Sequence, residues 1–141
     1  MRSNKPLEED RAHRSWTMSQ VRSKNTTPEM VVRRAAHALG LRFRLHRDDL
    51  PGKPDLVFPR RRFALFVNGC FWHSHPGCDR ARMPRSNVDY WKSKLGRNVG
   101  RDRENVRRLR KLGWRVVIIW ECESKDPTLL RTKLRRLANN R

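Results

Sequence analysis

Residues 66–78, Phe-Val-Asn-Gly-Cys-Phe-Trp-His-Ser-His-Pro-Gly-Cys, constrain this chain more than any other stretch. They hold two of its three cysteines, Cys70 and Cys78, and two of its five histidines, His73 and His75. Cys70, His75 and Cys78 put three soft or borderline ligands close together, which suits tetrahedral zinc. Zinc takes a fourth ligand, and the one remaining cysteine is Cys122, just past the apolar run Trp114–Trp120. A site made of Cys70, His75, Cys78 and Cys122 would use every cysteine and fill every position, which marks it as structural rather than catalytic. The alternative is three unrelated buried thiols and two surface histidines. His73 and His75 are two apart, so on an extended stretch they need not both face the metal, and one is then free for chemistry. Phe71 and Trp72 place two large aromatics inside the same loop.

Charge bounds the partner. The 141 residues carry 34 Lys+Arg against 14 Asp+Glu, a net charge of +20. Such an excess implies a polyanion, and nucleic acid is the default. Basicity of a ribosomal kind, without catalysis, is the competing reading. A membrane partner is not expected, because the sequence has no apolar run near membrane-spanning length and no lipidation motif. Met1–Arg14 has no apolar segment, so no signal peptide is expected. An odd cysteine count argues against a disulfide scaffold and for a reducing compartment, the cytoplasm.

The length suits one domain. Residues 1–17 read as a flexible tail, and 18–141 as the domain, with 18–26 as an arm that lies against phosphates through Arg22 and Lys24. Thr27-Pro28-Glu29 predicts a helix start capped by Thr27, with Gly40 as its stop and Met30, Val31, Ala35, Ala38 and Leu39 as its apolar stripe. Phe43 and Leu45 alternate with Arg42, Arg44 and His46 as a half-buried strand. Pro51-Gly52 is a turn, Asp55 opens a strand, and Phe63–Val67 pairs with it as a hairpin. Ser86 with Asp89 predicts a helix cap, and Gly96 and Gly100 a break before the helix resumes over 98–112. Trp114–Trp120 reads as a strand buried on both faces, and Asp126-Pro127 as the start of a last amphipathic helix. The order predicts an α/β fold with helices on both sides of the sheet.

Asp55 is the sharpest chemical signal. A carboxylate opening a strand in a basic protein suits a nuclease that uses a divalent cation, because Mg²⁺ needs one or two hard oxygen anions beside phosphate and water. The usual arrangement adds an acidic residue and a lysine on the next strand, but that strand ends Phe66-Val67-Asn68 and has neither. His73 is the candidate substitute, since a neutral imidazole takes a proton from water near neutral pH. Asp102 would orient that imidazole or bind the metal through water. The plainer readings are a turn aspartate for Asp55 and a surface partner of arginines for Asp102.

Five linked motifs carry a resemblance. They are Met18-Ser-Gln-Val-Arg-Ser-Lys-Asn-Thr with Pro28-Glu29, Leu50-Pro-Gly-Lys-Pro-Asp55, Phe66-Val-Asn-Gly-Cys-Phe-Trp-His73, Tyr90-Trp-Lys-Ser-Lys-Leu-Gly-Arg-Asn-Val-Gly-Arg-Asp102 and Leu112-Gly-Trp-Arg-Val-Val-Ile-Ile-Trp-Glu121. In order and spacing, from about Met18 to Cys122, the chain resembles the very-short-patch mismatch repair endonucleases, the Vsr family. The resemblance implies a restriction-endonuclease-like mixed sheet and Mg²⁺-dependent nicking of double-stranded DNA 5′ of the thymine of a T·G mismatch. Such mismatches arise when 5-methylcytosine deaminates. It implies that Asp55 and the backbone carbonyl of Val67 hold Mg²⁺. It implies that His73 acts on the attacking water with Asp102 in support, and that Cys70, His75, Cys78 and Cys122 hold structural zinc. Phe71, Trp72 and Trp91 would wedge into the base stack, and the segment before Thr27 would lie in the minor groove. It further implies a bacterial-type, nucleoid-associated monomer with mismatch-repair proteins as partners. Asn68 stands where some relatives carry a second active-site histidine, and the interval between His75 and Cys78 is one residue longer than in a familiar relative. A zinc-bearing DNA-binding module without catalysis, motivated by the missing lysine, and a generic Mg²⁺-dependent nuclease are the alternatives.

Overall fold

The computed structural model describes residues 25–139. The tail, nearly all of the arm, and with it Arg22 and Lys24, lie outside the described residues.

Helix α1 spans Thr27–Ala38. Its cap is Thr26 rather than Thr27: the Thr26 hydroxyl accepts from the Glu29 amide at 3.4 Å, and Pro28 sits in the first turn. Pro28 has no amide hydrogen to leave unsatisfied there, so it fits. The helix ends at Leu39, and Gly40 follows with φ +73°, the left-handed residue expected past a helix end. The buried positions are Glu29, Val32 and Ala36, rotated from the stripe expected from the sequence. A glutamate therefore occupies the inward face.

Short strand β1 (Arg44–Leu45) pairs antiparallel with β2 (Leu56–Phe58), and β2 pairs antiparallel with β3 (Phe63–Asn68). This is the expected hairpin, with Asp55 immediately before β2. Strand β4 (Arg115–Trp120) runs parallel to β3, with Phe63 opposite Arg115 and Asn68 opposite Trp120. The strand order is β1-β2-β3-β4, a four-stranded mixed sheet. A parallel pair needs a long crossover, and α2 (Val88–Lys111) supplies it.

Two corrections concern this crossover. Helix α2 runs unbroken through Gly96 and Gly100. A β-carbon on either glycine would meet nothing within 4 Å, so each costs helix propensity without bending the backbone. The helix starts after Asn87, in the left-handed region at φ 54°, without a side-chain cap from Ser86. β4 is not sealed on both faces either. Only Ile119 is fully buried along it, because it is the last strand of the sheet among the described residues.

Side chains alternate across the sheet. Leu56, Phe58, Phe63, Leu65 and Ile119 pack against Val32 and Ala36 of α1 and against Leu130, Leu134 and Leu137 of α4 (Pro127–Asn139). Val57, Ala64 and Trp114 face the other way and pack on Leu109 of α2. Helices thus flank both faces, as the element order predicts. Between β4 and α4 lies a short turn of helix, α3 (Glu121–Ser124), which the sequence pattern does not announce. Asp126 caps α4 as expected, accepting from the Leu129 amide at 3.1 Å. No helix among the described residues is long and apolar enough to cross a membrane.

The turn before Asp55 is pressed onto α2. Gly52 has φ +75°, and a Cβ there would meet the Asn105 side chain at 2.9 Å. Gly52→Ala is expected to lower stability by about 1–3 kcal/mol, from left-handed strain plus the clash. Gly96→Ala, exposed and helical, is expected to raise it by about 0.5–1 kcal/mol. Urea denaturation of both variants checks the pair, and stabilisation by Gly52→Ala would contradict the packing described.

Candidate active site and thiol cluster

An open cleft of about 950 Å³ contains the residues the chemistry needs. Asp55, His73 and Asp102 all line it. Val67 and Asn68 come from the end of β3, and Glu121 is the first residue after β4. The arrangement follows from the sheet: β2 starts where β3 ends, so Asp55 meets the strand that leads into the aromatic loop. The Val67 amide donates to Asp55 Oδ2 at 2.7 Å and fixes that carboxylate.

Two further groups line the same cleft. Glu29, on the buried face of α1, is only 2% exposed. His46, just after β1, presents Nε2 to Glu29 Oε2 at 2.8 Å, and Arg33 also donates to that oxygen at 3.1 Å. Ligand atoms of Glu29, His46 and Asp55 all lie within 4.8 Å of one another. Burial pushes the Asp55 carboxyl up to about 6, and the neighbouring Glu29 carboxylate adds to the rise. The Val67 amide and His46 oppose it. Two carboxyl groups this close are hard to ionise together without a positive charge between them. The set of hard oxygens therefore fits a divalent cation.

Sequence reasoning missed Glu29 and His46. Glu29 carried a readable signal, a carboxylate in register with Val32 and Ala36 on the inward stripe. His46 carried none, because it belongs to the site through a turn back onto the Asp55 backbone. The His46 amide donates to the Asp55 carbonyl at 3.1 Å, with His46 itself at φ 48°.

The loop after β3 coils instead of extending. His73 N bonds Gly69 O, Ser74 N bonds Phe71 O and His75 N bonds Cys70 O, at 2.9–3.3 Å. Ser74 then reverses at φ 52°. This coil sends the two histidines to different places. His73 Nδ1 lies 2.5 Å from Asp102 Oδ2 on α2. A carboxylate only accepts, so Nδ1 is the donor and Nε2 is left to accept a proton.

His75 goes to the thiols. Ligand atoms of Cys70, His75, Cys78 and Cys122 lie within 4.8 Å of one another, the four residues expected from the spacing. No disulfide joins the three cysteines. His75 stacks on Trp120 with centroids 4.2 Å apart, and the Cys122 amide donates to Cys70 Sγ at 3.4 Å. Burial, with smaller contributions from the neighbouring Cys122 and Cys78 thiols, pushes the Cys70 thiol up to about 12 against the opposing Cys122 amide. Such a nest of thiols is unfavourable as thiolates alone and favourable around a soft cation.

The aromatic residues form one block. Phe71, Trp72 and Trp91 stack edge-to-face or tilted at 5.2–6.1 Å, with Leu95 behind them. Trp72 and Trp91 are each 6% exposed, while Phe71 is half-buried. Asn98, buried in α2, donates to the Trp72 carbonyl at 3.1 Å and ties the block to the cleft.

Comparisons with known proteins agree with one another. The sequence profile of the family described as DNA mismatch endonuclease Vsr matches residues 8–80. The type II nicking enzyme V.XorIIP of Xanthomonas oryzae pv. oryzae is 52% identical over 124 residues, 88% of this chain and 90% of that protein. The DNA mismatch endonuclease Vsr of Escherichia coli is 41% identical over 113 residues, 80% of this chain and 72% of that protein.

The raised Asp55 carboxyl has a stability consequence. From about pH 4 to pH 6 the folded chain holds a proton that the unfolded chain has released. Stability therefore falls as pH rises through that window, by up to ~3 kcal/mol from this group. Asp55→Asn cannot ionise. The stability of this variant minus that of wild type is expected to grow between pH 4 and 6 and to level off above, in urea denaturation without added divalent cation. A constant difference across that range would contradict the carboxylate crowding.

Proposed function

The chain belongs to the Vsr family of DNA mismatch endonucleases, and on that footing we propose that it nicks duplex DNA 5′ of the thymine of a T·G mismatch left by 5-methylcytosine deamination, initiating very short patch repair. The observation that carries this reading is one cleft shared by Asp55 and the His73–Asp102 pair.

Asp55 and the Val67 carbonyl would hold Mg²⁺, with the Glu29 carboxylate beside them. When bound, that ion supplies Lewis-acid stabilisation of charge building on the phosphodiester. His73 Nε2 takes the proton of the attacking water. Asp102 keeps Nδ1–H oriented and stabilises the imidazolium that forms. Asn68, 6% exposed at the end of β3, offers an amide to the same space. Lys53 and Arg101 line the cleft and would bind flanking phosphates.

Phe71, Trp72 and Trp91 would enter the base stack as a packed block, with Phe71 leading because it is the least buried of the three. Unstacking costs a few kcal/mol per step, and less where pairing is already poor. A rigid wedge thereby converts weak pairing into selectivity. Residues 18–26, with Arg22 and Lys24, would lie in the minor groove. Zn²⁺ held by Cys70, His75, Cys78 and Cys122 would tie the coiled loop to the end of β4, a closed structural site. A restriction-endonuclease-like fold, a monomer in the cytoplasm at the nucleoid and mismatch-repair proteins as partners belong to the same reading.

A labelled duplex with one T·G pair tests it. Nicking is expected only on the mismatched duplex, only with divalent cation, and slower by about 100-fold or more in both Asp55→Asn and His73→Ala. Equal cutting of a matched duplex would overturn the mismatch reading. Cys122→Ser is expected to lose zinc and thermal stability together, and full zinc occupancy in that variant would remove Cys122 from the ligand set.

A further inference from the structure

His46 is unusual for a cation site assembled from carboxylates. Its backbone sits at φ 48°, a left-handed conformation that is uncommon outside glycine and tends to persist where the surroundings enforce it. The enforcing contact is its own amide bonded to the Asp55 carbonyl at 3.1 Å. That bond holds the His46 backbone beside Asp55, and the ring presents Nε2 2.8 Å from Glu29 Oε2, with the three ligand atoms within 4.8 Å of one another. For metal–ligand bonds of about 2.1 Å, octahedral donors stand roughly 3 Å apart when adjacent and roughly 4.2 Å apart when opposite. His46 Nε2 and Glu29 Oε2, 2.8 Å apart, already stand near the spacing of adjacent donors, and Asp55 offers its oxygen within 4.8 Å of both.

We propose that His46 is a direct ligand of the Asp55 cation through Nε2, and that this nitrogen makes the centre favour manganese(II) over magnesium. The inference rests on Asp55 as a cation ligand in the reading above. Magnesium prefers oxygen donors and gives up its water reluctantly, whereas imidazole raises affinity for first-row transition ions. Ligation needs the lone pair on Nε2. The proton that Nε2 now directs at Glu29 therefore moves to Nδ1, leaving the ring neutral. The cation replaces the imidazole–carboxylate hydrogen bond with bonds to both partners, and its charge relieves the crowding of Glu29 and Asp55.

The test uses the full, zinc-loaded chain and Mn²⁺ followed by electron paramagnetic resonance. Wild type is expected to bind Mn²⁺ and to show nitrogen modulation in the electron spin echo from a directly bound imidazole. Magnesium should displace the ion only in large excess. His46→Gln is expected to keep its zinc, lose the nitrogen modulation and bind Mn²⁺ about tenfold more weakly or worse, with magnesium affinity changed far less. His73→Ala is expected to keep the modulation. Nitrogen modulation that survives in His46→Gln, or manganese affinity equal to wild type there, overturns the proposal while Asp55→Asn still abolishes binding. Manganese binding unchanged in Asp55→Asn overturns the proposal together with the Asp55 reading beneath it.

Discussion

A carboxylate tied to a backbone amide organises this protein. Asp55 Oδ2 takes the Val67 N–H, and that single bond joins the start of β2 to the end of β3. From there the chain runs into the aromatic loop, so whatever Asp55 grips is fixed relative to Phe71, Trp72 and His73. The bond lowers the cost of ionising Asp55, while burial and Glu29 raise it more. A cation bound there, as proposed, would offset that cost.

The second constraint is the coil of residues 69–75. An extended stretch would put His73 and His75, two residues apart, on the same side. Helical turns instead direct His73 onto Asp102 of α2 and His75 onto the thiols beside β4. The cluster anchors the loop from outside the sheet, and Asn98 anchors it from α2 through the Trp72 carbonyl. Rigid support on two sides would suit the wedge role proposed for the aromatic block, since misplacement by an ångström costs rate.

Much of this was legible in the residues. The hairpin, the two-sided helix cover and the meeting of Cys70, His75, Cys78 and Cys122 followed from spacing and periodicity. So did the neighbourhood of Asp55 and the loop after β3. The errors have physical causes. Gly96 and Gly100 are poor helix formers, yet they sit on the exposed side of a helix held by Trp91, Leu95 and Leu109 packing inward, and tertiary packing overrode propensity. β4 looked doubly buried because its composition is apolar, but composition does not reveal which strand ends a sheet. Glu29 was missed although its register with Val32 and Ala36 marks it as inward, whereas His46 was missed because its place depends on a meeting of α1, β1 and the start of β2. Pattern reading along one element does not see such meetings.

The proposed nicking has Asp55 and His73 work on one phosphodiester in the cleft that both line. A double-mutant cycle measures this directly, using single-turnover nicking of a T·G duplex by wild type, Asp55→Asn, His73→Ala and the double variant. Groups that act as a unit are strongly non-additive. The account predicts a double variant about as slow as the slower single variant. Losses that multiply, each substitution acting in full on the background of the other, would mean that the two residues serve separate steps or separate sites.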